Sequence, residues 1–228
     1  MPCGRTGSTP CSGRSRWCPR PVPDGRPAPA PVRVASLAEL KAATMACREC
    51  PIGEFATQSV TGEGKLKPKL MLVGEQPGDK EDLEGHPFVG PAGKLLARAL
   101  EAAGIPQAQT FVSNAVKHFK FELRGKRRIH KSPAVREIAA CHHWLEDEIA
   151  LVQPKALVAL GSTAARSLLG RPVPVMAERG HWLPRPDGRE VLVTLHPSAL
   201  LRVDPESRDA AFHPFVADLR QAKRLFRR

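Results

Sequence analysis

Four short apolar runs, separated by helical patterns, dominate the distribution of hydrophobic residues along the chain. They are KLMLVGE (69–75), TFVSNAV (110–116), KALVALG (155–161) and EVLVTLH (190–196), and each ends in a polar turn. Because the runs are continuously apolar rather than alternating, they are typical of strands buried on both faces. Strands that alternate with helices predict an α/β fold, a three-layer α/β/α arrangement with a central, mostly parallel four-stranded sheet.

Local signals mark where the intervening helices begin and end. Ser36 and Glu39 form a capping box that predicts a short helix to about residue 46. The segment PAGKLLARALEAAG (91–104) has a proline near its start and a glycine past its end, as helices commonly do. A long helical pattern follows Ser132, the predicted N-cap, and Pro133, the predicted first helical residue. Two further helical patterns cover residues 162–170 and 206–226.

The first 35 residues differ from the rest in composition. They contain eight prolines, four glycines, six arginines and one acidic residue, with no periodic apolar pattern. Such a segment cannot bury enough apolar surface to offset the entropy of ordering it. We therefore expect residues 1–35 to be a disordered basic tail and residues 36–228 to form the folded domain. Cys3, Cys11 and Cys18 lie in this tail, where a small metal site is an open alternative.

Composition and charge narrow the class of protein. Hydrophobic residues make up 42% of the chain and charged residues 25%, as in ordinary globular proteins. The formal net charge of +12 indicates a polyanionic partner, with nucleic acid as the first candidate and an anionic membrane surface as the second. No apolar run is long enough to span a bilayer, and the basic N-terminus lacks the apolar core of a secretory signal. These features favour a cytoplasmic protein, in which clustered cysteines are more often metal ligands than disulfides.

Polar side chains follow the ends of the predicted strands. Glu75 and Gln76 come after the first strand, Asn114 lies in the second, and His196 and Ser198 close the fourth. In an open α/β sheet, ligands bind outside the carboxyl ends of the strands, so we expect these groups to converge on one rim. The sequence contains neither G-x-G-x-x-G nor G-x-x-x-x-G-K-[ST], which argues against a nucleotide cofactor.

Three cysteines outside the tail have the spacing of metal ligands. Cys47 and Cys50 form a C-x-x-C pair just past the first predicted helix, and Cys141 follows about ninety residues later, in the middle of another helix. Two thiolates at this spacing chelate one metal ion or one edge of a cluster. Three cysteines leave one ligand missing, and His118, beside the end of the second strand, is a candidate for it.

Several segments, taken in order, resemble one enzyme family. LMLVGEQPGDKEDLEGHPFVGPAGKLLARALEAAGI (70–105), FVSNAVKHFKF (111–121), KALVALGSTAARSLLG (155–170) and VTLHPSALLR (193–202) are similar to the iron–sulfur uracil-DNA glycosylases of family 4. The resemblance covers roughly residues 36–227. It is closest to the UdgX-type branch, whose mark is a basic insertion carrying K-R-R-I-H, found here at 126–130. It implies a DNA-repair enzyme with a 4Fe–4S cluster that acts on uracil-containing DNA.

The resemblance also implies roles for individual residues of the rim. Glu75 and Gln76 would face the sugar and the base, Phe88 would stack on the extruded uracil, and Asn114 would read the base edge. His196 would contact uracil O2. The other residues implied to bind substrate are Gly74, Ser198, Lys126, Arg127 and Arg128. An amide suits uracil because it reads an acceptor and a donor together, and a base must leave the DNA stack before it is read.

For the cluster, the resemblance implies that Cys47, Cys50 and Cys141 are ligands. Ordinary family 4 members have a cysteine at the position of His118, so the fourth ligand here departs from the family pattern. We expect His118 to take that place. A purely structural role is the favoured interpretation of the cluster.

The basic segment from Lys117 to Lys131 has two interpretations. It holds seven lysines or arginines and one acidic residue, so a solvated phosphate-binding loop accounts for its charge. The resemblance adds that His130 attacks the sugar carbon and joins protein to DNA covalently. Arg127 and Arg128 would then hold phosphate or the loop, and neighbouring cations would keep His130 neutral and nucleophilic. Glu75 would orient this histidine or take its proton.

Three functions follow from these observations. The first is a glycosylase that excises uracil, preferably from single-stranded DNA, and ends as a covalent adduct. The second is a multiple-turnover glycosylase with water as the nucleophile. The third is a non-catalytic nucleic-acid or iron–sulfur binding module. We expect a monomer in each case.

Overall fold

The computed structural model of the protein describes residues 34–226. Almost all of the predicted tail, with Cys3, Cys11 and Cys18, therefore lies outside the described residues. The strands are β1 (Glu63–Gly64), β2 (Leu70–Gly74), β3 (Thr110–Asn114), β4 (Phe121–Arg124), β5 (Arg127–His130), β6 (Ala156–Leu160), β7 (Trp182–Pro184) and β8 (Glu190–Thr194). The helices are α1 (Leu37–Ala46), α2 (Ile52–Phe55), α3 (Asp79–Glu84), α4 (Pro91–Ala103), α5 (Val135–Val152), α6 (Ser162–Leu169), α7 (Val175–Glu178), α8 (Pro197–Leu201) and α9 (Arg208–Arg220).

The central sheet has the strand order β1-β3-β2-β6-β8-β7. The four predicted strands form its parallel centre, with Leu72 opposite Val112 on one side and Val158 on the other. The two edge strands, β1 and β7, are antiparallel to their neighbours. The predicted fold class is confirmed, but the sheet has six strands rather than four. The edge strands are only two and three residues long, which is too short to produce an apolar run.

Both faces of the sheet are covered by helices, which explains the continuous apolar runs. Leu70 and Leu72 point to one face, where they pack in a cluster with α4, α8 and α9. Met71 and Val73 point to the other face, toward α5 and α6. Since side chains alternate along a strand, a strand buried on both faces needs an apolar residue at every position.

The helix boundaries follow the predicted signals with one exception. The Ser36 hydroxyl accepts the Glu39 N–H at 3.2 Å, and Gly104 closes α4 in the left-handed region at φ 72°. The predicted start of α5 at Ser132 is wrong, because the helix begins at Val135. The Ala134 N–H donates to Oε2 of Glu137, inside the first turn, and this carboxylate caps the helix two residues later than the serine would.

Residues 121–130 of the basic segment form a β-hairpin outside the main sheet, whereas the sequence predicts a solvated phosphate-binding loop. β4 and β5 pair antiparallel, with Phe121 opposite His130 and Arg124 opposite Arg127. The turn between them contains Gly125 at φ 59°, a conformation that tight hairpin turns require. Side chains opposite each other share a face of the ribbon, so the hairpin gives His130 a fixed direction.

Between residues 34 and 226, no helix combines the length and the apolar character that a bilayer crossing needs.

Candidate active site

A cavity of about 300 Å³ opens beyond the carboxyl ends of the parallel strands. Its walls come from segments distant in sequence: the turn after β2, the loop before α4, the end of β3, the hairpin and the turn after β8. Among the lining residues are Gln76, Phe88, Asn114, His130 and His196. The structure thus brings most of the predicted rim residues to one cavity.

Gly74 forms the point on which three of these side chains converge. A Cβ atom on Gly74 would lie 2.4 Å from Oδ1 of Asn114, 2.8 Å from Cζ of Phe88 and 3.4 Å from Nε2 of His196. No side chain fits there, and its absence lets the three groups meet. Phe88 has φ 59°, which is strained for a residue other than glycine, and its ring stacks on His196 at a centroid distance of 6.5 Å.

His196 is held as a neutral ring with a defined tautomer. Its Nδ1 accepts the backbone N–H of Ser198 at 3.1 Å and lies 2.7 Å from the Ser198 hydroxyl. Burial lowers the pKa of His196 to about 4, so the ring carries one proton near neutral pH. Since Nδ1 is an acceptor, that proton is on Nε2, the nitrogen nearest Gly74. His196 therefore offers a hydrogen-bond donor to the cavity.

Gln76 fixes both the position and the tautomer of His130. Oε1 of Gln76 accepts the Lys120 N–H at 3.2 Å, and Nε2 donates to the carbonyls of Lys120 and Lys131 at 3.2 and 3.0 Å. These backbone partners settle which end of the amide is the NH₂. The same NH₂ is 3.0 Å from Nε2 of His130. It has two hydrogens to share among three neighbours and cannot accept one, so a proton on Nε2 of His130 would point at another donor, whereas a lone pair there fits the contact. The neutral ring of His130 thus has its lone pair on Nε2 and its proton on Nδ1.

The protonation of His130 agrees with this assignment, although its main cause is burial rather than the neighbouring cations that we predicted. Burial is the main effect that lowers the pKa of His130, and Arg202 lowers it further. The cations of the hairpin are not the cause. Glu75 acts in the opposite direction and favours a positive charge on the ring. The cavity therefore keeps a neutral imidazole next to a carboxylate that stabilises its cationic form.

Glu75 presents one carboxylate oxygen to His130. Oε1 lies 3.7 Å from Nε2 of His130, beyond hydrogen-bonding distance, while Oε2 accepts the Thr163 hydroxyl at 2.6 Å. Gln76, rather than Glu75, is thus the residue that orients the histidine.

The cations of the hairpin have different environments. Nε of Arg128 is 2.6 Å from Asp79, and Nη1 is 2.6 Å from the fully buried Asp82. The guanidinium also lies over Phe119 and Phe121, at 5.5 and 5.1 Å from the ring centroids. Arg128 therefore fastens the hairpin to α3. Lys126 lies in the turn and Arg127 is the first residue of β5, and both are exposed. Neither has an acidic partner within residues 34–226.

The structure also gathers the predicted cluster ligands. Cys47 and Cys50 are half-buried beside the buried Cys141, in one apolar cluster of α1, α2 and α5. Nε1 of Trp144 donates to Cys47 Sγ, and the Lys117 N–H donates to Cys141 Sγ, both at 3.3 Å. Burial raises the pKa of Cys141 to about 12.

His118 lies against α2, the short helix that follows Cys50. A Cβ atom on Gly53 would be 2.6 Å from the Cys47 carbonyl oxygen and 3.6 Å from Cε1 of His118. His118 is 5% exposed, and burial lowers its pKa to about 4, so it is a neutral ring with a lone pair to donate. In residues 34–226, no three histidine, cysteine or acidic side chains converge tightly enough to hold a single metal ion.

Comparison with known proteins adds to this geometry. The uracil DNA glycosylase superfamily matches residues 61–220. A type-4 uracil-DNA glycosylase of Thermotoga maritima is 38% identical over 157 residues, covering 68% of this chain and 78% of the relative. Enzymes of the same description from Sulfurisphaera tokodaii and Pyrobaculum aerophilum are 34% and 33% identical, covering 73% and 68% of this chain and 76% and 80% of the relatives. The chain belongs to the uracil-DNA glycosylase superfamily.

The superfamily match includes the whole cavity, with His118 and Cys141, but begins after Cys47 and Cys50. Sequence reasoning missed several residues that shape the site. Thr163 lies two residues past the third predicted strand (155–161), and no sequence pattern marks its hydroxyl as part of the site. The ion pair between Lys117 and Glu148, with nitrogen and oxygen 2.7 Å apart and both side chains fully buried, gave no signal in the sequence.

Proposed function

We propose that this protein excises uracil from DNA and is then joined to the DNA through His130. Membership of the superfamily supports uracil-DNA glycosylase activity in DNA repair. The observation that carries the covalent step is the state of His130: a neutral imidazole whose lone pair on Nε2 is held by Gln76 beside the Glu75 carboxylate. The hairpin with its KRRIH sequence and this histidine are the features by which the chain resembles the UdgX-type branch.

Recognition of uracil follows from the convergence at Gly74. The Asn114 amide reads one acceptor and one donor of the base edge, and Nε2–H of His196 donates to O2. Phe88 stacks on the ring of the extruded base. The strained backbone of Phe88 and the missing side chain of Gly74 are the features that bring the Phe88 ring next to the Asn114 amide, as stacking on a base and reading its edge require.

The bond-breaking step is balanced as follows. The bond between the sugar carbon C1′ and N1 of uracil breaks, and its electron pair leaves with uracil, whose developing negative charge is stabilised by His196. Nε2 of His130 gives up its contact with the Gln76 NH₂, whose two hydrogens keep the carbonyls of Lys120 and Lys131 as acceptors. The freed lone pair on Nε2 forms the new bond to C1′, which places a positive charge on the imidazole. Loss of the Nδ1 proton restores a neutral ring, and uracil gains a proton from solvent.

Glu75 stabilises the positive charge during this step. Its Oε1 is 3.7 Å from His130 Nε2, so a sugar carbon within reach of that nitrogen also lies near the carboxylate. The charge passes from the sugar to the imidazole, and the carboxylate faces both. Because histidine is a poor leaving group once bonded to carbon, the enzyme does not turn over.

A conventional multiple-turnover glycosylase is the second candidate, and the relatives favour it. The relatives from Thermotoga maritima, Sulfurisphaera tokodaii and Pyrobaculum aerophilum are described as type-4 uracil-DNA glycosylases. In that mechanism water attacks C1′, and the hairpin serves for DNA binding alone. A non-catalytic binding module is the third candidate. Such a module has no need for a lone pair on Nε2 of His130 or for a donor on Nε2 of His196.

We further propose that Cys47, Cys50, Cys141 and His118 hold a 4Fe–4S cluster. The residues fit this group. The three sulfurs lie in one apolar cluster, and two of them accept N–H donors of the kind that stabilise thiolates. The neutral imidazole of His118 lies against α2, next to them. A cluster binds each ligand through a separate iron, so its ligands do not need to meet at one point. Held by these residues, a cluster would join the segment before α2 to α5 and so supply a structural cross-link.

Lys126 and Arg127 are the hairpin cations that we assign to DNA phosphate, since both are exposed and neither has an acidic partner among the described residues. Single-stranded DNA is the expected substrate, because extruding a base from a duplex adds an unpairing cost of a few kcal/mol. We expect the protein to act as a monomer in the cytoplasm.

Incubation with uracil-containing single-stranded DNA, followed by a denaturing gel, tests the three candidates. A band that survives heat and detergent, at most one per protein molecule, supports the adduct. An abasic product without that band indicates the second candidate, and unchanged DNA indicates the third. His130→Ser should abolish the band and admit water, giving an abasic product. His213→Ala, on an exposed face of α9, is the matched control and should behave as wild type. Adduct mapped to a residue other than His130 would refute the covalent proposal.

A further inference from the structure

The hydroxyl of Thr163 donates a hydrogen bond to the Glu75 carboxylate. Oγ1 of Thr163 lies 2.6 Å from Oε2 of Glu75, and the threonine is 9% exposed. A threonine hydroxyl has one hydrogen, and a carboxylate only accepts, so the direction of this bond is fixed. The bond joins two strand ends: Glu75 directly follows β2, and Thr163 lies in the first turn of α6, after β6.

The backbone around Thr163 is fixed by the sheet. The N–H of Gly161 donates to the Thr194 carbonyl at 2.9 Å, which ties the start of α6 to the end of β8. Gly161 has φ 88°, and a Cβ atom there would lie 3.1 Å from Cβ of His196. The glycine allows this close approach, and Thr163 therefore holds its hydroxyl in a constant place relative to the cavity.

The consequence for Glu75 is orientational. The outermost torsion of a glutamate side chain is broad, so a carboxylate held only by its stem samples many directions. With Oε2 bound by Thr163, Oε1 is the oxygen that faces His130. We propose that Thr163 is a positioning residue, which holds the Glu75 carboxylate toward the reacting carbon and His130. This inference rests on the role proposed for Glu75 above.

Single-turnover kinetics on uracil-containing single-stranded DNA test the inference, with adduct and free uracil measured separately. Thr163→Val keeps the shape of the side chain and removes the donor. It should lower the maximal rate by about 10- to 100-fold, the range for a hydrogen bond to a charged group, and leave the DNA concentration at half-maximal rate unchanged. Thr163→Ser, which retains the hydroxyl, should restore the rate to within about threefold.

A double-variant cycle separates positioning from a structural effect. In a Glu75→Ala background, Thr163→Val should change the rate by less than about twofold, because the group it positions is absent. An equal loss in both backgrounds, a wild-type rate for Thr163→Val, or no rescue by Thr163→Ser at unchanged thermal stability would overturn the inference. If wild type releases uracil without forming an adduct, the covalent proposal fails alone, since the rate of uracil release still tests Thr163. A wild type with neither product overturns both.

Discussion

Replacing Arg128 and Arg127 separately by alanine tests whether the first fastens the hairpin to α3 and the second binds DNA phosphate. The two arginines are adjacent and look equivalent in the sequence. In the structure Arg128 is bonded to Asp82 and Asp79 and lies over two aromatic rings, whereas Arg127 is exposed. We therefore expect Arg128→Ala to loosen the hairpin and Arg127→Ala to weaken DNA binding only.

The size of the Arg128 effect follows from its partners. A hydrogen bond to a charged group contributes about 1.5 to 3 kcal/mol, and this applies to Asp82, which is fully buried. The side chain of Asp79 is 51% exposed, so that pair adds at most about 0.5 kcal/mol. Contact with the aromatic rings adds about 0.5 to 1 kcal/mol. Together these contributions amount to about 2 to 4.5 kcal/mol, which corresponds to about 30- to 1,600-fold in the equilibrium between docked and undocked hairpin.

We expect the lower end of this range, for two reasons. Asp82 keeps a second partner, the Thr57 N–H at 3.0 Å, when the arginine is removed. Gln76 continues to hold both ends of the hairpin. Amide hydrogen exchange measures the effect directly, since the amides of residues 121–131 should lose protection in Arg128→Ala while the central sheet does not.

Adduct formation supplies the functional readout. Arg128→Ala should slow it even at saturating DNA, because His130 is misplaced in a fraction of molecules. Arg127→Ala should slow it only at low DNA concentration and should reduce the dependence of binding on salt by about one phosphate contact. Equal effects of the two variants on hairpin exchange would refute the reasoning, as would an Arg128→Ala rate that recovers fully at saturating DNA.

Two further predictions concern the cluster and the buried histidines. Purified protein should be brown and contain about four irons per chain; His118→Ala should weaken iron retention and Cys11→Ala should not, whereas colourless protein with one zinc would contradict the ligand assignment. The pKa of His196 is about 4 in the folded state and about 6.5 in the unfolded chain, so the unfolded state binds more protons between these values and stability falls as pH decreases through this window. His196→Asn should remove at most about 2 kcal/mol of the stability lost between about pH 7 and pH 5, measured by denaturant unfolding at each pH; an unchanged pH dependence would show that the ring is not held neutral.

Much of the fold was predictable because its signals are local. The parallel strands can be recognised in the sequence as continuous apolar runs, since each position is buried by one of two helical layers. The end of α4 follows from Gly104 alone. The edge strands and the start of α5 were not predictable, because they depend on a neighbouring strand and on the reach of the Glu137 side chain.

The candidate site, like the fold, has features that were predictable from the sequence and features that were not. The groups that reach the cavity were predictable from the strand pattern, because the carboxyl ends of parallel strands meet at one edge and Asn114 and His196 lie at such ends. It did not determine the orientation of those groups. The tautomer of His130, the donor that holds Glu75 and the pairing of Arg128 with α3 each depend on residues between about forty and ninety positions away. Hydrogen bonds act over a few ångströms in space without regard to separation along the chain, so these contacts arise only once the chain has folded.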